Sequence, residues 1–136
     1  MSMLRLLPPL CWTGLIAYLG SGQWGGDETS AWLGPILRAL LPGASPELVQ
    51  AAHFLIRKAA HVFEYGVLAI LWRRAAGGTW RALGLSVLTA SLDEFRQGFI
   101  PSRAGSVYDV LLDGMGAAGA LLVTSALRAR SWKATW

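Results

Sequence analysis

The chain has little of what a disulfide-braced, zinc-threaded or ordinary soluble domain needs. Of its 136 residues one is cysteine, two are histidine and 15% are charged. The lone Cys11 excludes an intramolecular disulfide and any multi-cysteine zinc site, and reads as a small apolar packing residue. A charged fraction of 15% falls short of the roughly one quarter that soluble domains carry. Apolar residues stand in place of charge, at 54% of the chain with a mean hydropathy of +0.43. The reading is an all-α integral membrane protein, a single domain over 1–136, with room at about 20 residues per span for four transmembrane helices.

The predicted spans cover about 4–20, 58–72, 80–99 and 107–127. Charges weaken the hydropathy signal of the second and third, but 62–72 and 82–92 are almost wholly apolar, and Trp72 and Trp80 mark an interface between them. Met1 to Arg5 followed by an apolar run is similar to a signal peptide. No small-x-small cleavage site follows, and Cys11 lacks the small residue before it that a lipoprotein signal needs, so a retained helix is expected. Pro8 and Pro9 fall near its start, where missing backbone donors are tolerated.

Between the first two spans, Gly22, Gly25 and Gly26 open a long segment in which Asp27 and Ser30 offer helix starts and Pro42, Gly43 and Pro46 break the chain. One or two short interfacial helices are expected, over about 31–41 and 46–57. The second has Ser45 as N-cap and Pro46 in its first turn, and is able to run on into the second span. Trp24, Trp32 and Leu33 suit the membrane interface, as does His53.

Arg73, Arg74 and Arg81 in one short loop and Arg128, Arg130 and Lys133 in the tail outweigh the first loop, where Asp27, Glu28 and Glu47 face Arg38. The positive-inside rule therefore puts both termini in the cytoplasm. The same anchors explain the net charge of +4 and the pI of 9.8 through lipid headgroups, and they form no nucleic-acid signature.

Against this background Arg57, Lys58, His61, Glu64, Asp93, Glu94, Asp109 and Asp113 stand out, inside or beside apolar stretches. An Arg, Lys or Asp at the centre of a span costs roughly 2.5 to 3.5 kcal/mol to insert, so such groups need partners and a purpose. The topology puts all of them in one leaflet. Arg57, His61 and Glu64 follow i, i+4, i+7, as Lys58, His61 and Tyr65 follow i, i+3, i+7, while Asp93 with Gln97 and Asp109 with Asp113 are i, i+4 pairs. Each helix thus offers one polar face to a shared pocket open to the outer leaflet, lined also by Arg103, with Tyr65 at its floor. Alternatively the charged faces pair only to hold the bundle, although Gly114, Gly116 and Gly119 already permit close helix approach.

Several chemistries fit these residues. Arg57, Lys58 and Arg103 suit a phosphate or pyrophosphate headgroup, with the carboxylates holding the cations in place, and a lipid-linked wall precursor is the favoured ligand. A catalytic reading gives His61 the general acid or base role, with Glu64, Asp93, Glu94 and Asp109 beside it. His61 with Asp93, Glu94, Asp109 and Asp113 also supplies enough donors for a divalent ion, but the spacing fixes no coordination geometry, so metal and cofactor stay open. Transport is disfavoured because so few helices leave no room for inverted repeats.

Lys58-x-x-His61-x-x-x-Tyr65, then Asp93-Glu94-x-x-Gln97-x-x-x-Pro101-x-Arg103, then Asp109 and Asp113 followed by Gly116, resemble the VanZ-like family, named for a teicoplanin resistance protein. The resemblance covers about 57–119 and departs at Asp113, where the family pattern usually has Asn. It implies a small multi-helix protein of the bacterial inner membrane, linked to the cell envelope and, in the namesake, to lowered teicoplanin susceptibility. Ser102-Arg103 with Asp109 and Asp113 also has the spacing of the last motif of type-2 phosphatidic acid phosphatases. Asp109, however, stands where that family has its nucleophilic His, and the preceding P-S-G-H motif is absent. Binding or remodelling of an envelope component is therefore expected over hydrolysis.

Overall fold

The computed structural model describes residues 3–103 and 105–133. The side chain of Lys133, expected as a cytoplasmic anchor, and Met1 of the signal-like start lie outside the described residues. Five α-helices follow one another: α1 (Leu7–Leu19), α2 (Gly26–Leu40), α3 (Pro46–Ala76), α4 (Thr79–Gln97) and α5 (Val107–Lys133), with no strand among the described residues.

Local sequence explains the boundaries. Pro8 and Pro9 fall in the first turn of α1, where absent donors leave no bond unmade. Ser45 caps α3, its hydroxyl accepting from Leu48 N at 3.3 Å, with Pro46 as the first helical residue. Nothing after that breaks the helix for 31 residues, so the second interfacial helix and the second span are one rod. It ends at Gly77 and Gly78, whose φ angles of 64° and 86° lie in the left-handed region that side chains avoid. The expected starts at Asp27 and Ser30 give way to α2 beginning at Gly26, which puts Asp27 and Glu28 in its first turn, where carboxylates offset the helix dipole.

Four spanning helices do not follow from length and composition. Val107–Arg130 is long and apolar enough to cross a membrane, whereas Met3–Leu19 qualifies only together with Gly22–Leu40, as a pair bent by 67°. α1 alone is about 20 Å long, short of a hydrocarbon core of about 30 Å. At about 46 and 28 Å, α3 and α4 have the length, but they carry the charges of the polar site.

Packing is nevertheless the reverse of a soluble bundle. Half of the buried residues among those described are small, Gly66, Ala69, Ala75, Ala82, Ala90 and Ala117 among them, while Phe63, Leu92, Phe95, Met115 and Leu122 stand exposed on α3, α4 and α5. Small residues inside and large apolar ones outside let backbones approach while offering oil-like surface to lipid. α3 and α5 run parallel. A Cβ on Gly116 would lie 2.5 Å from Val62 O, and one on Gly66 would lie 3.4 Å from the Ala120 methyl. Of the three glycines expected at close approach, only Gly116 meets backbone; Gly119 faces open space, and Gly114 has ordinary contact with Val87 at 3.5 Å.

Two further expectations change. Arg73 is held by Ser125 Oγ at 2.9 Å and Thr124 Oγ1 at 3.1 Å on α5, leaving Arg74 and Arg81 as the exposed basic residues around the α3–α4 connection. Trp72 packs against the core clusters around Leu68 and Leu121, whereas Trp80 is exposed as an interface residue would be.

Candidate functional site

The middle of α3, the last turns of α4 and the first turns of α5 come together at one end of the bundle, and with them nearly all the ionisable residues of these stretches. α1 is tied to this end by cations. Arg96 Nη2 donates to Ala17 O at 3.0 Å, and Arg103 Nη2 donates to Leu19 O, Ser21 O and Trp24 O at 2.8, 3.2 and 2.6 Å. The last carbonyls of a helix lack intrahelical donors and carry its negative dipole end, so two guanidinium groups are well placed there. Gly20 makes the approach possible, since a Cβ would lie 2.9 Å from both Arg96 Nη2 and Gln97 Nε2. Burial, and after it the nearby charge of Arg57, draws the Arg103 pKa below its ordinary value, yet the guanidinium stays protonated.

The carboxylates divide by partner. Asp93 Oδ1 accepts from Arg96 Nη2 at 2.7 Å and Nε at 3.2 Å, and its Oδ2 accepts from Gln97 Nε2 at 2.7 Å. Asp109 is ion-paired to Lys58, whose ammonium also lies 5.3 Å from the Phe54 ring centre. Glu94 Oε2 accepts the backbone N–H of Ser106 at 2.9 Å. That contact needs the turn before α5 to lie flat on α4, and Gly105 sits so near Glu94 O and Gly98 N that no side chain fits. Asp113 is fully buried and neither of its oxygens accepts a hydrogen bond. His61 Nδ1 faces it at 3.4 Å, within ion-pairing reach but without the closeness or alignment of a hydrogen bond.

His61, Glu94 and Asp113 can each offer one ligand atom such that the three atoms lie within 4.8 Å of one another. Tyr65 is buried against Ile16, Leu68 and Ala90, and its hydroxyl has no partner. Glu64 is half-buried on the α1 side, its own carbonyl accepting from Trp12 Nε1 at 2.9 Å.

Two cavities meet at this end. One of about 760 Å³ is lined by Asp27, Arg57, Lys58, His61, Gln97, Ser102, Arg103 and Asp109. A narrower one of about 250 Å³ lies under α2, where Ile16, Leu19, Trp32, Leu33 and Ile56 join Arg57, His61, Glu64, Asp93 and Arg103. The expected lining is thus split: Asp93, Glu64 and Arg103 reach the apolar cavity, while Asp113, Glu94 and Tyr65 line neither of the two. Arg96, Ser106 and Trp12 were not anticipated. Only the i, i+3 spacing of Asp93 and Arg96 was legible beforehand; the other two act across loops.

A family model described as VanZ/LLP1 matches residues 9–128. The chain belongs to the VanZ/LLP1 family. No curated protein and no solved structure matches it. The VanZ/LLP1 match takes in α1 and α2 as well as the motif-bearing helices, so the family extends well beyond 57–119. That extent agrees with the contacts, because Arg96 and Arg103 tie the motif region to the end of α1. VanZ/LLP1 membership and the apolar α5 together support a membrane protein.

Proposed function

We propose that this protein crosses the bacterial inner membrane four times, through α1, α3, α4 and α5, with both termini in the cytoplasm, and binds or remodels an anionic, lipid-linked component of the cell envelope. In this orientation the exposed Arg74 and Arg81 meet the cytoplasmic headgroups, and the larger cavity opens to the outer leaflet. The resemblance to VanZ-like proteins connects such a role to teicoplanin susceptibility.

Arg57 carries the reading. Lys58 is committed to Asp109, Arg96 to Asp93, and Arg103 to three carbonyls. Arg57 lines both cavities and makes no hydrogen bond or ion pair among the described residues, and Asp27 on the same cavity wall lies beyond ion-pairing distance. A half-buried, uncommitted guanidinium is suited to a phosphate, which it grips through paired N–H donors. The apolar cavity beside it suits the first part of a lipid chain.

The test is retention of a long-chain prenyl phosphate, against the corresponding neutral prenol, by protein in nanodiscs followed by native mass spectrometry. The phosphate is retained and the alcohol is not, and Arg57→Ala lowers retention tenfold or more. Equal retention of the alcohol, or an unchanged Arg57→Ala, contradicts the reading.

A second reading, hydrolysis of a lipid phosphate, draws on His61, which lines both cavities while its Nδ1 faces Asp113. A carboxylate behind an imidazole is the arrangement in which histidine serves as acid or base. Phosphate release that His61→Ala or Asp109→Ala abolishes in folded protein replaces the binding reading. A shift in teicoplanin susceptibility without lipid turnover removes the enzymatic one.

A further inference from the structure

Most of the carboxylates gathered at the polar end already have a donor. Asp93 is answered by Arg96 and Gln97, Asp109 by Lys58, and one oxygen of Glu94 by the Ser106 N–H. Asp113 is different: it has no exposed surface, neither oxygen accepts a hydrogen bond, and His61 Nδ1 at 3.4 Å is its one ion-pairing neighbour among the described residues. A buried carboxylate without donors is expensive unless a charge of opposite sign sits against it. The buried hydroxyl of Tyr65, one turn along α3 from His61, is likewise unbonded.

We infer that His61, Glu94 and Asp113 hold a divalent transition-metal ion such as Mn²⁺ or Zn²⁺. Their ligand atoms lie within 4.8 Å of one another. Metal–ligand bonds of about 2.0–2.2 Å put two donors on opposite sides of one ion roughly 4 Å apart, so modest side-chain movement closes the site. One imidazole nitrogen and two carboxylate oxygens suit this class of ion, and a neutral imidazole with two carboxylates carries the charge that a divalent cation cancels. The sequence alone offered Asp93 and Asp109 as further ligands; their ion pairs with Arg96 and Lys58 remove them. Because His61 also lines the larger cavity, the ion stands at the cavity wall, where positions not filled by protein are open to water or an anionic oxygen.

The inference stands apart from the lipid reading, since Arg57 is no ligand and metal binding is measured without lipid phosphate. Detergent-purified full-length protein is stripped with chelator and titrated with Mn²⁺ while free ion is followed by electron paramagnetic resonance. About one ion binds per chain, and electron spin echo envelope modulation of the bound Mn²⁺ shows nitrogen coupling from one histidine. With only two histidines in the chain, the coupling persists in His53→Gln and is lost in His61→Gln. Asp113→Asn and Glu94→Gln each weaken binding tenfold or more. Absence of saturable binding of both Mn²⁺ and Zn²⁺ overturns the site, as does binding without nitrogen coupling in the wild-type protein, which holds even if the variants fail to fold. Coupling that disappears in His53→Gln overturns it too.

Discussion

His61 on α3 meets Asp113 on α5 at 3.4 Å, about one turn further into the bundle than the ion pair of Lys58 and Asp109. The two pairs fix the relative height of two parallel helices. They also separate a half-exposed, compensated layer from a buried, uncompensated one.

The outer pair is coupled. With side chains 27% and 19% exposed, Lys58 and Asp109 are neither a free surface pair nor fully desolvated. Removing one partner is expected to cost about 1–3 kcal/mol, between the surface and buried limits. Thermal unfolding in detergent of Lys58→Ala, Asp109→Asn and the double variant checks this. The double variant loses less than the sum, because the second substitution removes a charge already stranded.

Gly116 admits no side chain. Its missing Cβ would stand 2.5 Å from Val62 O and 2.9 Å from Val62 Cα, both backbone atoms that cannot turn aside. Gly116→Ala therefore separates α3 from α5 and lowers stability by about 1–3 kcal/mol, the usual range for overpacking. Gly119→Ala, with nothing within 4 Å of its Cβ, leaves the unfolding temperature nearly unchanged.

The α2–α3 contact weakens in acid. His53 Nε2 lies 3.1 Å from Thr29 Oγ1, and burial, followed by the charge of Arg57, holds the His53 pKa below its ordinary 6.5. Folding thus favours the neutral ring. Its contribution is complete above pH 6.5 and is lost as pH falls through the folded-state value. An NMR titration finds His53 below 6.5 in the wild type and higher in Arg57→Ala, where the repelling charge is gone.

What could be read from the sequence was what local rules govern. The apolar run of α5, the Ser45–Pro46 cap and the i, i+4 polar faces of α3 and α5 all follow from neighbours along one helix. The continuity of α3 was less legible, because charges at Arg57 and Lys58 look like the end of a span when they face a polar cavity instead. Which glycine of α5 touches α3 depends on helix rotation, and which carboxylate lacks a partner depends on contacts such as the Ser106 N–H reaching Glu94 across a loop. Spacing records neither.

The central claim is that these side chains meet at a water-reachable hollow on the outer face of the membrane. It is tested most directly by labelling a single cysteine at Ser102, on the cavity wall, in a Cys11→Ser background with a membrane-impermeant maleimide on intact spheroplasts. The account predicts that Ser102→Cys is modified from outside and that Arg74→Cys is modified only after lysis. Modification of Ser102→Cys only after lysis, with Arg74→Cys reached from outside, would contradict it.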